Sequence, residues 1–253
     1  MSNLKKAIER SGRREGGQMG FAHVSQAKRK AMLLAAIVED GGAVAAAAEA
    51  GADVALVSAN DAAGAVRELG KASGAKIPVG ALLPSLDGAG ADALAEAKCE
   101  FVMSPLGTTR AAALDPGRMG HIISLGESID DASLRALGPL GLDAIAVPGR
   151  DSALFLSDQL EFVRVAQLSA TPLLVRLAAE PDAAELRALR DSGAAIVVAK
   201  PGTNVEGLRR LVELLQAVPE PRRREGRGPD VALLPALLGG GHDHDDEDEP
   251  DDD

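Results

Sequence analysis

The chain has no tryptophan and no tyrosine, and its only aromatic residues are Phe21, Phe101, Phe155 and Phe162. Single-stranded nucleic acids and nucleobases are held largely by stacking on aromatic planes, so this composition argues against a nucleic-acid partner. The single cysteine, Cys99, excludes an internal disulfide. It ends an expected helix without an arranged histidine partner, and so reads as a small buried packing residue. No apolar run approaches the about 20 residues that span a bilayer, and no secretory leader is recognisable. A cytoplasmic protein without membrane contact is expected. Zinc-ligand spacings, a Walker sequence, a nucleophile elbow and a dinucleotide-binding glycine fingerprint are all missing, so no resident metal or cofactor is expected.

What the chain does contain is alanine, leucine and valine arranged in a recurring unit. In Ser192 to Asn204 a glycine stops a helix, an apolar run makes a buried strand, a charged residue ends it, and the next helix begins. There Thr203 and Glu206, three apart before an apolar-periodic run, have the spacing of a capping box. The unit recurs about eight times. Strands are expected at Met32–Val38, Asp53–Ser58, Ile77–Leu83, Phe101–Ser104, His121–Leu125, the run ending at Val147, Pro172–Leu177 and Ala194–Lys200. Most are uninterrupted apolar runs, as in strands covered on both faces. Helices are expected between them, with a short one around Thr109–Leu114, one carrying Leu160, Val163 and Leu168 on one side, and a last one, Asn204–Val218, with Leu208, Leu211, Leu215 and Val218 on one stripe.

Alternating strands and helices require parallel pairing with right-handed crossovers, and eight units favour closure into a (βα)8 TIM barrel. The alternative is a doubly wound open sheet, which would normally carry a glycine-rich phosphate turn after its first strand; Glu39-Asp40-Gly41-Gly42 is not that turn. The domain reading is a basic N-terminal arm (1–31), the barrel (32–219), a basic linker with an apolar docking segment (220–241) and a disordered acidic tail (242–253). Met1–Lys30 carries eight basic and two acidic residues, whereas His242–Asp253 carries nine acidic ones. In the arm, Leu4–Arg10 reads as a short helix, and Met19 and Phe21 as anchors for the barrel's underside. Val231–Leu238 reads as a segment that docks on the barrel or on another subunit. His242 and His244, in a tail without fixed geometry, read as adventitious metal binders.

The patterns Gly51-Ala52-Asp53-Val54, Gly141-Leu142-Asp143-Ala144 and Gly193-Ala194-Ala195-Ile196 resemble those of the (βα)8 barrel superfamily, in particular its compact phosphate-binding members. The resemblance covers roughly Met32 to Val218. It implies a phosphate held by glycine-rich turns after strands seven and eight, at a helix N-terminus. Here strand seven runs into Ala178-Ala179-Glu180-Pro181 and strand eight into Lys200-Pro201-Gly202-Thr203-Asn204, which offers one glycine and a lysine.

Barrel chemistry stands at the C-terminal ends of the strands. The candidate catalytic residues there are Lys200, Glu39 and Arg176, since strand eight closes on strand one and strand seven adjoins. Asp40, Gly202, Thr203 and Asn204 are the candidate substrate-binding residues. Successive strand residues point to opposite faces, so only one of Glu39 and Asp40 faces the axis. A lysine beside carboxylates and an arginine suits lyase or isomerase chemistry on a small anionic metabolite, or else a purely structural ion pair. The competing reading is a noncatalytic barrel whose tails mediate association with a protein partner or with itself.

Overall fold

In a computed structural model, which describes residues 2–12, 30–126, 129–149, 153–177 and 181–219, eight parallel strands close into a barrel in sequence order. The strands are β1 (Leu33–Val38), β2 (Val54–Ser58), β3 (Val79–Leu82), β4 (Phe101–Pro105), β5 (Gly120–Ser124), β6 (Ala144–Val147), β7 (Leu173–Arg176) and β8 (Ala194–Val198). Closure is made by β8 beside β1, with Leu33 opposite Ile196 and Ala35 opposite Val198. The open-sheet alternative is thereby excluded. Helix α1 (Asn3–Gly12) precedes the barrel, and α2 (Val44–Glu49), α3 (Ala62–Lys71), α4 (Gly88–Glu96), α5 (Asp131–Leu137), α6 (Leu156–Ser169), α7 (Ala183–Asp191) and α8 (Val205–Ala217) cross between strands. No described helix is long and apolar enough to cross a membrane.

The glycine stops behave as the sequence implies. Gly51, Gly141 and Gly193 end helices with φ of +97°, +71° and +97°, the left-handed region glycine enters without a Cβ penalty. The aspartates that follow two of them tie neighbouring strands together. Asp53 accepts the Leu34 amide at 2.8 Å while donating its own amide to the Leu34 carbonyl, and Lys30 pairs with its carboxylate at 2.5 Å. Asp143 is buried, takes a hydrogen bond from the Ser2 hydroxyl, and is pushed up from the usual carboxylate range by burial.

The barrel axis is filled by alternate strand residues, and its lower end is closed by α1. Leu4 (0% exposed) and Ile8 (8%) join Leu33, Phe101, Ile122, Leu174 and Ile196 in one cluster. The short helix read from the sequence is therefore a plug of the barrel foot. Met19 and Phe21 lie outside the described residues, as do Glu127, Arg150, Asp151, the 220–241 segment and the acidic tail. Phe101 supplies the bulk of the lowest layer. Its register partners on both sides are glycines, Gly80 and Gly120, and a Cβ on Gly80 would stand 2.4 Å from the Phe101 ring.

Three local expectations change. Between β4 and β5 the chain forms two 3-10 turns, Leu106–Thr108 and Ala111–Ala113, where a short α-helix is expected. Pro105, Gly107, Pro116 and Gly117, all poor helix formers, flank the segment on both sides. On α6 the inward face is Asp158, Phe162, Val165 and Ser169, and Leu160 is 62% exposed. Burying the aromatic ring removes more apolar area than burying Leu160 would. On α8 the expected stripe is buried, but the cap stands one residue later than the Thr203–Glu206 spacing suggests: Asn204 accepts the Gly207 amide at 2.8 Å.

Candidate functional site

The C-terminal mouth of the barrel holds a cavity of about 170 Å³. Strand parity decides what lines it, because residues two apart point to the same side. Ile37, Leu82, Met103, Ala146, Leu174 and Val198 make an apolar floor, and the polar contributions come from Ser124 and Arg176. Arg176 is the last residue of β7, pairs in register with Val198, and is exposed. Its side chain has no ion pair or hydrogen bond among the described residues. Gly149, in the loop after β6, lies directly against it: a Cβ there would come within 2.3 Å of the Arg176 carbonyl oxygen and 2.7 Å of its Cβ.

Of the other sequence candidates, Glu39 and Lys200 are both exposed, each two residues beyond a floor residue (Ile37, Val198) and past the end of its strand, and neither lines the mouth cavity. No ion pair joins Glu39, Lys200 and Arg176 among the described residues. Lys200 opens a turn with Pro201 and Gly202 at its centre; Gly202 has φ +81°, and the Thr203 amide donates to the Lys200 carbonyl at 3.0 Å, as in a type II turn. The Thr203 hydroxyl also donates to that carbonyl, at 2.6 Å. Thr203 and Asn204 thus have structural partners within the turn and the α8 cap.

Asp40 points away from the axis. It accepts the Gly42 amide at 3.0 Å and pairs with Lys71 of α3 at 3.4 Å, and these contacts hold its carboxyl below the usual range. Lys71 also reaches Glu68 at 2.9 Å, and Glu68 accepts the Gly41 amide at 3.0 Å. The loop is pressed so closely on α3 that a Cβ at Gly41 would overlap the Glu68 carbonyl oxygen, 1.8 Å away.

That arrangement recurs around the rim. Asp61 accepts the Gly64 amide at 2.6 Å, Asp87 the Gly90 amide at 2.8 Å, Asp130 the Ser133 amide at 3.0 Å, and Asp182 the Ala184 and Glu185 amides at 2.7 Å. Helix N-termini attract anions because their first amides are unpaired. At α3, α4, α5 and α7 the chain's own carboxylates occupy those amides. The signal in the sequence is an aspartate directly before each of these four helices.

A second cavity, about 400 Å³, adjoins the mouth between the ends of β5 and β6 and the face of α6. It shares Leu125, Val147, Pro148 and Gly149 with the mouth cavity and adds Ile129, Phe162 and Val165. Its two carboxylates are engaged: Asp158 accepts the Phe155 amide at 3.0 Å, and Glu161 pairs with Arg164 at 2.8 Å. At the opposite end of the barrel, His121 is buried and its protonation is disfavoured by burial. Its Nε2 accepts the Asp115 amide at 3.2 Å, which places the neutral ring's proton on Nδ1. No metal-binding cluster of His, Cys, Asp and Glu occurs among the described residues.

No family model matches the chain, and no curated protein matches it. Solved structures do. A tryptophan synthase chain from Mycobacterium tuberculosis superposes with a TM-score of 0.62 at 15% identity, over 86% of this chain and 98% of that one. The HpcH/HpaI aldolase from Desulfitobacterium hafniense gives 0.53 at 15% identity, over 74% and 94%. A FabK mutant from Thermotoga maritima gives 0.52 at 13% identity, over 79% and 64%. At these identities the likeness establishes the (βα)8 barrel fold.

Proposed function

We propose that the chain takes a small anionic metabolite at the C-terminal mouth of its barrel, with Arg176 as the anion's partner. The observation that supports this most is an exposed guanidinium without a counter-ion among the described residues, beside an apolar cavity at the strand ends. A guanidinium offers a planar fork of donors suited to a carboxylate or phosphate. Glu39 and Lys200 follow the neighbouring strands β1 and β8, and in this reading Lys200 serves as nucleophile or proton donor and Glu39 as base, for lyase- or isomerase-type chemistry. The likeness to the HpcH/HpaI aldolase and to tryptophan synthase supports that class. Gly202, Thr203, Asn204 and Asp40 have a smaller share in the reading, because their polar groups are engaged in the turn and caps described above.

The test is a thermal-shift screen against keto acids, dicarboxylates, phosphorylated sugars and simple monocarboxylates. A ligand at about a hundred times its dissociation constant adds roughly 2.7 kcal/mol, a rise on the order of 5 to 10 °C for a chain of this size. Arg176→Gln should remove the shift. An unchanged shift in that variant would place the ligand elsewhere.

A second reading, a noncatalytic barrel that associates with a protein, is supported by the apolar surface of α6. Leu156 (70% exposed) and Leu160 (62%) stand one turn apart beside Phe155 (58%). Sedimentation of the intact chain and of Leu160→Glu tests it; association lost in the variant would favour it over the pocket.

A further inference from the structure

We infer that the mouth and the α6 cavity form one bent site for an amphipathic anion, with its charged head at Arg176 and an unbranched aliphatic chain in the α6 cavity. The inference rests on the reading of the mouth given above and names the ligand class that the mouth takes. Ligand pockets usually enclose about 300 to 1,000 Å³. The mouth, at about 170 Å³, is smaller, and the adjoining cavity of about 400 Å³ brings the pair into that range.

Chemistry separates the two halves. In the mouth, Ile37, Leu82, Met103 and Leu174 offer no partner for hydroxyls, and with Arg176 taken by the anion only the Ser124 side chain does, so a polyhydroxylated sugar would lose most of its hydrogen bonds to water without replacement. The α6 cavity presents Leu125, Ile129, Val147, Phe162 and Val165. Its carboxylates already have protein partners, so a chain methylene meets apolar atoms there. Pro148 and Gly149 form the threshold common to both. Gly149 packs on the Arg176 backbone, and Arg176 lines the mouth cavity but not the α6 cavity, so the cation belongs to the mouth half, next to that threshold.

Isothermal titration with straight-chain carboxylates of two to eight carbons, the matching alkyl phosphates, the matching alcohols, inorganic phosphate and a sugar phosphate tests this. Affinity should rise by roughly fourfold per added methylene, and alcohols should bind at least tenfold more weakly than the acids. Whichever of the carboxylate and phosphate series binds more tightly identifies the head group. Arg176→Gln should weaken both anion series at every length. Gly126→Leu should flatten the length dependence while leaving the shortest acids unaffected; Gly126 lines the α6 cavity and a Cβ on it meets open space. Arg176-dependent binding of inorganic or sugar phosphate with no dependence on chain length would overturn this inference and leave the mouth's anion site standing. Length-dependent binding that ignores Gly126→Leu would also overturn it. Indifference of every ligand to Arg176→Gln would overturn both.

Discussion

Adding one methyl group at Gly80 should unsettle the whole foot of the barrel. A Cβ there would lie 2.4, 2.5 and 2.6 Å from three carbons of the Phe101 ring, whereas carbon atoms pack at about 3.5 to 4.0 Å. The ring, itself fully buried, must therefore retreat by about 1 Å into an interior already filled by Leu4, Leu33 and Ile122. Overpacking of this kind costs about 1 to 3 kcal/mol, which at this size lowers the melting temperature by roughly 2 to 12 °C. Phe101→Leu alone should also destabilise, by roughly 1 to 2 kcal/mol, through lost burial. The double variant should cost less than the two together, because the smaller side chain vacates the space the methyl enters. Urea unfolding followed by far-ultraviolet circular dichroism suits a chain without tryptophan or tyrosine. A coupling of about 0.5 to 3 kcal/mol is expected for residues in such contact. Additivity within about 0.5 kcal/mol would show that Gly80 and Phe101 do not share that space, and would refute the packing account.

Leu4→Ala, at a fully buried position in α1, should cost about 2 to 5 kcal/mol in the same assay; a loss under about 0.5 kcal/mol would mean that α1 does not plug the foot. Cys99 is buried and its thiol is pushed up to about 11, so it should resist thiol reagents near pH 8 until the protein unfolds. Rapid labelling in native buffer would contradict its placement. His121 is held neutral by burial, below its ordinary value near 6.5, so the unfolded chain takes up a proton first as pH falls. The stability that this contributes is present above about pH 6.5 and is lost as pH falls toward the folded value, by at most about 1.4 kcal/mol per pH unit. His121→Gln should remove that part of the slope, and an identical pH profile in the variant would count against the buried neutral ring. Asp61→Ala, which removes the α3 cap, should cost about 1 kcal/mol by urea unfolding, and no measurable loss would discount the rim caps.

The order of elements was legible because helix and strand signals are local. Gly51, Gly141 and Gly193 stop helices where the sequence places the stops, and the apolar run before Glu39 is a strand covered on both faces. Closure followed from counting such units. Contacts between distant segments were not legible. Leu4 and Ile8 read as one face of a short helix, but nothing local shows that their partners are Phe101 and Ile196. At the mouth, alternation narrows the choice between Glu39 and Asp40, and the structure turns Asp40 outward through Lys71, a residue of the helix after the next strand. Arg176 could be named from the sequence as a strand end. Its neighbour Gly149 depends on how β6 and β7 align, which no single segment encodes.

The plug at the barrel foot also constrains the order in which the chain acquires its structure. Helix α1 rests on β1, β5 and β8, and β8 is the last of the described strands to leave the ribosome. During synthesis the helix is made early and its seat is finished late. Until then Leu4 and Ile8 have no complete surface to cover, and the unclosed sheet has edges at β1 and at the most recently made strand. Contacts so distant along the chain slow folding, and closure of the barrel and seating of α1 fall together at its end.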